Sequence, residues 1–483
     1  MADQLTPFML NAYESSPVIT PNIDALAARG ARFDAAYTPS PICVTARAAM
    51  MTGLYPSRLG CYDNGDSFPA LTPTFAHHLT NAGYDTTLSG KMHFVGPDQL
   101  HGFRKRLTTD VYPSSYDWSY DPIDGGDELA FDFHQQYTDT TTYPGWSLEL
   151  QFDEETHYRS LEYLRRVGDA PFAHVTSYTS PHPPFIAPTR FWDLYDGADI
   201  PLPDLPPDLD ASYTWMDRAL IRWYGLDRHN VCTEANMRTV RRGYFALISY
   251  LDHQLGELIA VLDEQGLRDK TAVLLVADHG EMLFEHGMVQ KRSFREWSAR
   301  IPMILDLPGG ESADTSVHAP TSLVDVLPTL LDLAGVADLD LDTIDGRSVL
   351  PLLGARVTDA PVFSEYHAEG VFRSCFMVRQ GQHKYLHIEG EAPALYDLSS
   401  DPEEWINLAG RPELEDVETR LSMLIFDNFD VASITPDVRR RLAQKKIVQA
   451  AMHRNQTSWD YQPFFDARHQ YVRTDPKKSY VRT

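Results

Sequence analysis

The stretch 271–277, Thr-Ala-Val-Leu-Leu-Val-Ala, is apolar throughout and ends on Asp278-His279-Gly280-Glu281. A strand with alternating polarity can face water on one side. A strand without it must be covered on both, which is the position of a central strand in a parallel sheet. Parallel strands need crossover connections, usually helices, and the chain supplies them. Residues 21–30 read as a helix ended by Gly30, 74–83 as a helix closed by Gly83 before the strand 85–90, and 153–167 as a helix before the strand 173–178. The long segment 236–262 carries Tyr244, Leu247, Ile248, Leu251, Leu255, Leu258 and Ile259 at helical spacing and leads into 271–277. This rhythm predicts an α/β fold. In open α/β sheets ligands bind beyond the carboxyl ends of strands. Asp278 and His279, a carboxylate beside an imidazole at such an end, are therefore candidate metal ligands.

The segment 41–53 holds Cys43 and Arg47, followed by small and apolar residues and by Thr52-Gly53. It reads as a helix that begins near Cys43 and is stopped by Gly53. A helix N-terminus offers free N–H groups to an anion, and the i, i+4 spacing puts thiol and guanidinium on one face. One reading is a nucleophile beside a fixed positive charge, aimed at a sulfate or phosphate. The other is a buried structural cysteine and a surface arginine. Lys91 and His93 follow the strand 85–90 and alternate with Met92, so they share a side. They can neutralise an oxyanion and move a proton, or be a surface lysine and a hydrogen-bonded histidine. His182 lies in Ser180-Pro181-His182-Pro183-Pro184. The prolines either hold it out past the strand 173–178 or make a surface turn.

A chain of 483 residues can build a large core. Its net charge of −26 argues against a nucleic-acid binder and makes the cationic groups near Cys43 a local exception. Cys43, Cys61, Cys232 and Cys375 are too scattered for a zinc ribbon or a disulfide framework. With no basic leader before an apolar stretch and no run of about 18 apolar residues, a soluble cytoplasmic protein is expected. Residues 119–150 read as a long loop and 197–232 as irregular. Short strands at 371–379, 384–388 and 394–397 predict a small antiparallel sheet, dividing the chain into 1–360 and 361–483. Asp3, taken alone, reads as part of a solvated terminus.

Cys43-Val44-Thr45-Ala46-Arg47 with Thr52-Gly53, Gly90-Lys91-Met92-His93 and the segment 278–281 resemble the signature elements of the sulfatase family. The resemblance implies an alkaline-phosphatase-like α/β sandwich around a mostly parallel sheet, with a smaller C-terminal antiparallel-sheet subdomain. It implies that Cys43 is oxidised to formylglycine, whose hydrate attacks sulfur. The family pattern has proline, read by the maturation machinery, where this chain has Thr45. It also implies a divalent cation (Ca2+, Mg2+ or Mn2+) held by Asp3, Cys43, Asp278 and His279. Arg47 would fix the nucleophile, Lys91 and Lys291 would neutralise sulfate oxygens, and His93 and His182 would handle protons. On this resemblance Asp3 ends a first strand whose earlier residues are missing, and the natural start is expected upstream.

Segments 76–79, 95–103 and 106–113, Tyr62-Asp63-Asn64, Tyr116-Asp117-Trp118 and parts of the tail 458–473 are similar to the choline-sulfatase branch in particular. That branch implies choline sulfate as substrate, contacted by Asn64, Trp118, His134 and Glu365. It also implies a tail that closes over a neighbouring subunit, hence a homo-oligomer. A phosphonate monoester or phosphodiester is the alternative substrate, and a non-catalytic binding protein is the alternative if Cys43 stays unmodified. No nucleic-acid or membrane partner is expected.

Overall fold

Strands β1 (Ala31–Phe33), β2 (Asp85–Gly90), β3 (Lys105–Arg106), β4 (Phe172–Ser177), β5 (Val273–Val276), β6 (Met303–Asp306) and β7 (Thr315–Val317) form the body of the protein. The structure is a computed structural model that describes residues 1–120, 133–336, 344–354 and 358–466. The strands lie in the orders β3-β2-β4 and β5-β6-β1-β7. β2 is parallel to both of its neighbours and β1 is parallel to β7, whereas β6 runs antiparallel to β1 and β5.

Residues 1–3 lie between β4 and β5. Ala2 pairs in parallel with Ala277, and Asp3 with Pro181. The Ala2 N–H donates to Val276 O at 2.9 Å, the Tyr178 N–H donates to Met1 O at 3.0 Å, and the terminal ammonium donates to Thr176 O at 2.8 Å. Asp3 is thus not a solvated terminus. It is fully buried, at the carboxyl ends of the two flanking strands. Behind Met1 a cavity of about 460 Å³ continues between the same strands, lined by Phe172, His174, Thr176, Leu274 and Val276 among others.

The helices that position the site are α1 (Pro21–Arg29), α2 (Cys43–Thr52), α3 (Leu148–Leu164), α4 (Trp215–Tyr224) and α5 (Glu234–Glu264). By length and composition α5 could cross a membrane, but most of its apolar window is buried inside the protein, where it packs on α1 and α3. Helix α4 lies within the segment predicted to be irregular. It starts at a capping box between Thr214 and Asp217 and stops at Gly225, whose φ of 76° a residue with a Cβ adopts only at a cost. Those local signals outweigh the proline-rich surroundings.

Strands β8 (Val362–Tyr366), β9 (Cys375–Gln380), β10 (His383–Ile388) and β11 (Ala394–Asp397) pair as an antiparallel meander. β8 opens the strand-rich region that begins near residue 361. All of its residues are buried, so it shows no alternation. Helices α6 (Glu415–Asn428) and α7 (Val431–Asn455) cover this sheet. Leu421, Ile425 and Val438 pack there on Phe363, Phe376, Val378 and Leu395. After α7 the described part of the tail meets residues 114, 116 and 159. The Ser114 N–H donates to Asp460 at 3.2 Å, Trp459 meets Tyr116 edge-on at 5.4 Å, and Arg159 lies over Phe465 at 3.9 Å. The rest of the tail predicted to reach a neighbour, 467–483, lies outside the described residues, as do residues 131 and 132 beside His134.

Candidate active site

Helix α2 is buried along its whole length. Gly53 ends it in the left-handed region with φ 70°, its N–H bonded to Ala49 O. Cys43 is its first residue, so the N–H groups of the opening turn have no partner within the helix. Asn64 takes one of them, accepting from the Val44 N–H at 3.2 Å.

The thiol lies among polar side chains. Cys43 Sγ is 3.2 Å from His279 Nε2, 3.5 Å from Lys291 Nζ, 3.8 Å from Lys91 Nζ and 4.0 Å from Asp3 Oδ1. Burial and Asp3 push the thiol up, but Lys291, Lys91 and His279 together hold it well below its ordinary value. Cys43 thus sits in the kind of electropositive surroundings that activate a thiol.

Arg47 is not a surface residue. It is fully buried, and its fork is spent on Asp278 Oδ2 at 2.8 Å, Asp3 Oδ2 at 2.7 Å, Lys91 O at 2.6 Å and Ser177 Oγ at 2.9 Å. These contacts put Arg47 on the carboxylates of the metal side, the side on which it is expected to fix the nucleophile. It clamps two carboxylates in place and ties α2 to the ends of β2 and β4. Removing one partner of a buried pair costs about 3–5 kcal/mol, so the clamp is rigid.

The ligand atoms of Asp3, Cys43, Asp278 and His279 all lie within 4.8 Å of one another, and all four residues are buried. Donors bound at about 2.0–2.6 Å from one cation span such a distance. Burial raises the Asp278 carboxyl, Arg47 opposes this, and Asp3 adds to it. Two close buried carboxylates with one arginine between them are a donor set that a divalent cation neutralises. The residues fit a metal.

The two lysines differ. Lys91 bonds Asp3 Oδ2 at 2.6 Å, and that charge, with Cys43, outweighs burial and raises its pKa. Lys291 donates to Gln4 Oε1 at 2.6 Å, a neutral acceptor, and burial lowers it. Tyr112 covers this side, its ring 4.6 Å from Lys91 Nζ, 4.8 Å from His93 and 5.4 Å from Trp118.

His93 has φ 58°, a left-handed conformation rare for a residue with a side chain. Asp110 holds it there, accepting from the N–H groups of Met92 at 3.1 Å and His93 at 2.8 Å while paired with Arg106. Burial lowers the His93 pKa against the opposing charge of Cys43. Burial and then Lys291 depress His182 well below its usual value, and its Nδ1 donates to Pro183 O at 2.6 Å. Nε2 of this neutral ring is then left with a lone pair.

The remaining predicted residues separate. Trp118 is half-buried beside Tyr112. His134 is buried and stacked on His229 with centroids 3.8 Å apart, next to Phe133, whose ring lies under Arg292 at 5.3 Å. Glu365 is engaged elsewhere. Its Oε1 accepts from the Ser57 N–H at 2.9 Å and Ser57 Oγ at 3.0 Å, and Oε2 bonds His367 Nε2 at 2.9 Å. The acidic residue tied to the site is Glu369, four positions on. It accepts from the Asn64 N–H at 2.8 Å and pairs with Arg292. Gln4, Asp110, Tyr112 and Glu369 were missed. Asp110 and Tyr112 lie inside the segment 106–113 already singled out, and Gln4 is adjacent to Asp3.

Three comparisons bear on this geometry. The sulfatase family model matches residues 1–336, the C-terminal model of N-sulphoglucosamine sulphohydrolase matches 284–428, and that of choline sulfatase enzyme matches 436–482. The chain is 37% identical to a choline-sulfatase of Rhizobium meliloti (strain 1021), over 98% of this chain and 94% of that protein. Among solved structures, a phosphonate monoester hydrolase from Silicibacter pomeroyi superposes with a TM-score of 0.71 at 25% identity, covering 89% of this chain and 94% of that one. A putative sulfatase from Bacteroides thetaiotaomicron superposes with a TM-score of 0.71 at 24% identity, covering 91% and 92%.

Proposed function

The chain belongs to the sulfatase family and is a sulfuric ester hydrolase; from that premise we propose that it hydrolyses choline sulfate to choline and sulfate at Cys43, with a divalent cation held by Asp3, Asp278, His279 and the residue at position 43. When bound, such an ion supplies Lewis-acid polarisation of the ester oxygens and lowers the pKa of the nucleophile. Carboxylate and imidazole ligands suit Ca2+, Mg2+ or Mn2+, and His279 tilts the choice toward Mn2+. The proposal includes conversion of Cys43 to formylglycine, which replaces a soft sulfur by oxygen and so matches position 43 to the hard ligands beside it.

In this reading Lys91 and Lys291, on either side of Cys43, receive the sulfate oxygens. Arg47 keeps Asp3 and Asp278 oriented. His93 and His182 handle protons at the nucleophile and the leaving group. The same reading carries a cytoplasmic location and a homo-oligomer formed through the C-terminal tail.

Thr45 bears on maturation. Ala46 is the first residue of α2 whose N–H reaches a carbonyl four residues back, that of Ile42 at 2.9 Å. Proline at position 45, in the first turn, therefore removes no bond of the helix ladder. Thr45→Pro is expected to fold and to raise the formylglycine fraction measured by peptide mass spectrometry in the native host. An unchanged fraction would show that this residue does not limit maturation.

The observation that carries the choline assignment is the aromatic pair Tyr112–Trp118 beside Lys91. A quaternary ammonium has no N–H to donate, so aromatic faces and carboxylates must select it. Cation–π contacts of about 0.5–2 kcal/mol predict that Trp118→Ala lowers kcat/KM for choline sulfate roughly tenfold more than for a neutral aryl sulfate. Equal losses on both substrates would reduce Trp118 to a packing residue and remove the choline assignment from this wall. A phosphonate monoester is the second reading, favoured by the Asp278-His279 pair and the likeness to the Silicibacter pomeroyi enzyme.

A further inference from the structure

Helix α7 carries Asp437, Arg441, Lys445, Gln449 and His453 at four-residue intervals, one row along its surface. The row meets two loops that frame Cys43. Asp437 accepts from Tyr62 OH at 3.1 Å, and Arg441 lies over the Tyr62 ring at 5.9 Å. Lys445 is buried between Asp63 Oδ2 at 2.7 Å and Asp66 Oδ1 at 3.1 Å. Gln449 Nε2 and His453 Nε2 bond Asp117 Oδ1, at 2.8 Å and 2.9 Å.

The position of Asp63 matters for two reasons. Its other oxygen accepts from the Gly65 N–H at 2.9 Å and from Ser119 Oγ at 3.2 Å, so it joins the loop 61–66 to the residue after Trp118. Its neighbour Asn64 holds the Val44 N–H at 3.2 Å, one residue from the nucleophile. A shift at Asp63 therefore moves both the start of α2 and the aromatic wall. Two close buried carboxylates repel unless a cation lies between them or one takes up a proton. Burial works against the Lys445 ammonium, but Asp63 and Asp66 outweigh it and keep it charged.

We propose that Lys445 is a positioning residue for sulfate-ester hydrolysis: by pinning Asp63 and Asp66 to α7 it sets Asn64 against the start of α2 and Trp118 beside the substrate. The C-terminal helix thereby acts on the reaction from within its own chain, through contacts that touch neither nucleophile nor metal ligands. This rests on Cys43 being the catalytic centre.

The test uses the full-length enzyme with choline sulfate and a neutral aryl sulfate, together with thermal melting. Displacing reacting groups by about 1 Å costs on the order of 100-fold, and supporting residues of a site are worth roughly 10- to 100-fold. Lys445→Met is expected to lower kcat on both substrates by about tenfold or more and to raise KM for choline sulfate more than for the aryl sulfate. Lys445→Arg, which keeps the charge, should restore most of kcat. Leu442→Ala thins the packing of the same helix outside the row, and should lower Tm while leaving both kcat values near wild type.

Lys445→Met with a lower Tm but wild-type kcat and KM below its melting point would overturn the proposal, as would Leu442→Ala losing kcat to the same extent. Should Lys445→Met fail to fold, Gln449→Ala combined with His453→Ala releases Asp117 at the exposed end of the row. The proposal then requires KM for choline sulfate to rise relative to the aryl sulfate, and an unchanged ratio overturns it. A wild-type enzyme that turns over neither ester overturns the underlying reading as well. Wild-type turnover with an unaffected lysine variant overturns this proposal alone.

Discussion

Cys43→Ala is expected to lower sulfate-ester turnover on the order of 10,000-fold, close to the buffer rate. The substitution removes a single atom from a buried helix that is anchored elsewhere, by Arg47 to Asp3 and Asp278 and by Val44 to Asn64. The fold should survive, and the melting temperature should stay near that of the wild type. What disappears is the group lying between two ammoniums and His279. Peptide mass spectrometry on the active wild-type preparation completes the test. The position-43 peptide should carry the formylglycine form in proportion to specific activity. A fully active preparation holding only unmodified cysteine would contradict the modification while leaving the site in place.

The second large effect is at Asp278. Asp278→Asn keeps an oxygen to accept from Arg47 Nε but removes the charge that, with Asp3, makes the donor set attractive to a cation. Turnover should fall on the order of 1,000-fold. Breaking a buried ion pair costs about 3–5 kcal/mol. Here the loss should fall within that range, because Arg47 keeps Asp3 at 2.7 Å, whereas the new NH2 faces the Gln4 and His279 N–H groups that Oδ1 accepts from. Incubation of the wild type with a chelator should reproduce the activity loss and be reversed by adding the cation. Full turnover by a metal-stripped enzyme would mean that these four residues do not form the working metal site.

Much of this was legible in the chain because local signals agreed with the global fold. The unbroken apolar run before Asp278 placed a carboxylate at a strand end, and Gly53 fixed where α2 stops, and so which residues share its buried length. Arg47 was legible as a partner of the site but not as a clamp. Which of its possible partners it meets depends on residues 1–3 lying between β4 and β5, a long-range pairing with no local pattern.

Glu365 and Glu369 show a different limit. Both are acidic, buried and close in sequence. Their separation depends on β8, where Glu365 pairs across from Phe376 and turns its carboxylate to Ser57 and His367, while Glu369 lies beyond the strand end and reaches Asn64. Register of that kind is set by the neighbouring strand. The row on α7 was invisible for a related reason: a lysine in a polar, weakly amphipathic helix reads as solvated until the two aspartates facing it are placed.

The most direct test of the account is kcat/KM of one purified preparation on choline sulfate and on an aryl phosphonate monoester, with Cys43→Ala as the blank. The account predicts faster hydrolysis of choline sulfate, with sulfate released, and loss of both activities in the variant. Preference for the phosphonate, or choline sulfate hydrolysis that persists at the wild-type rate in Cys43→Ala, would contradict it.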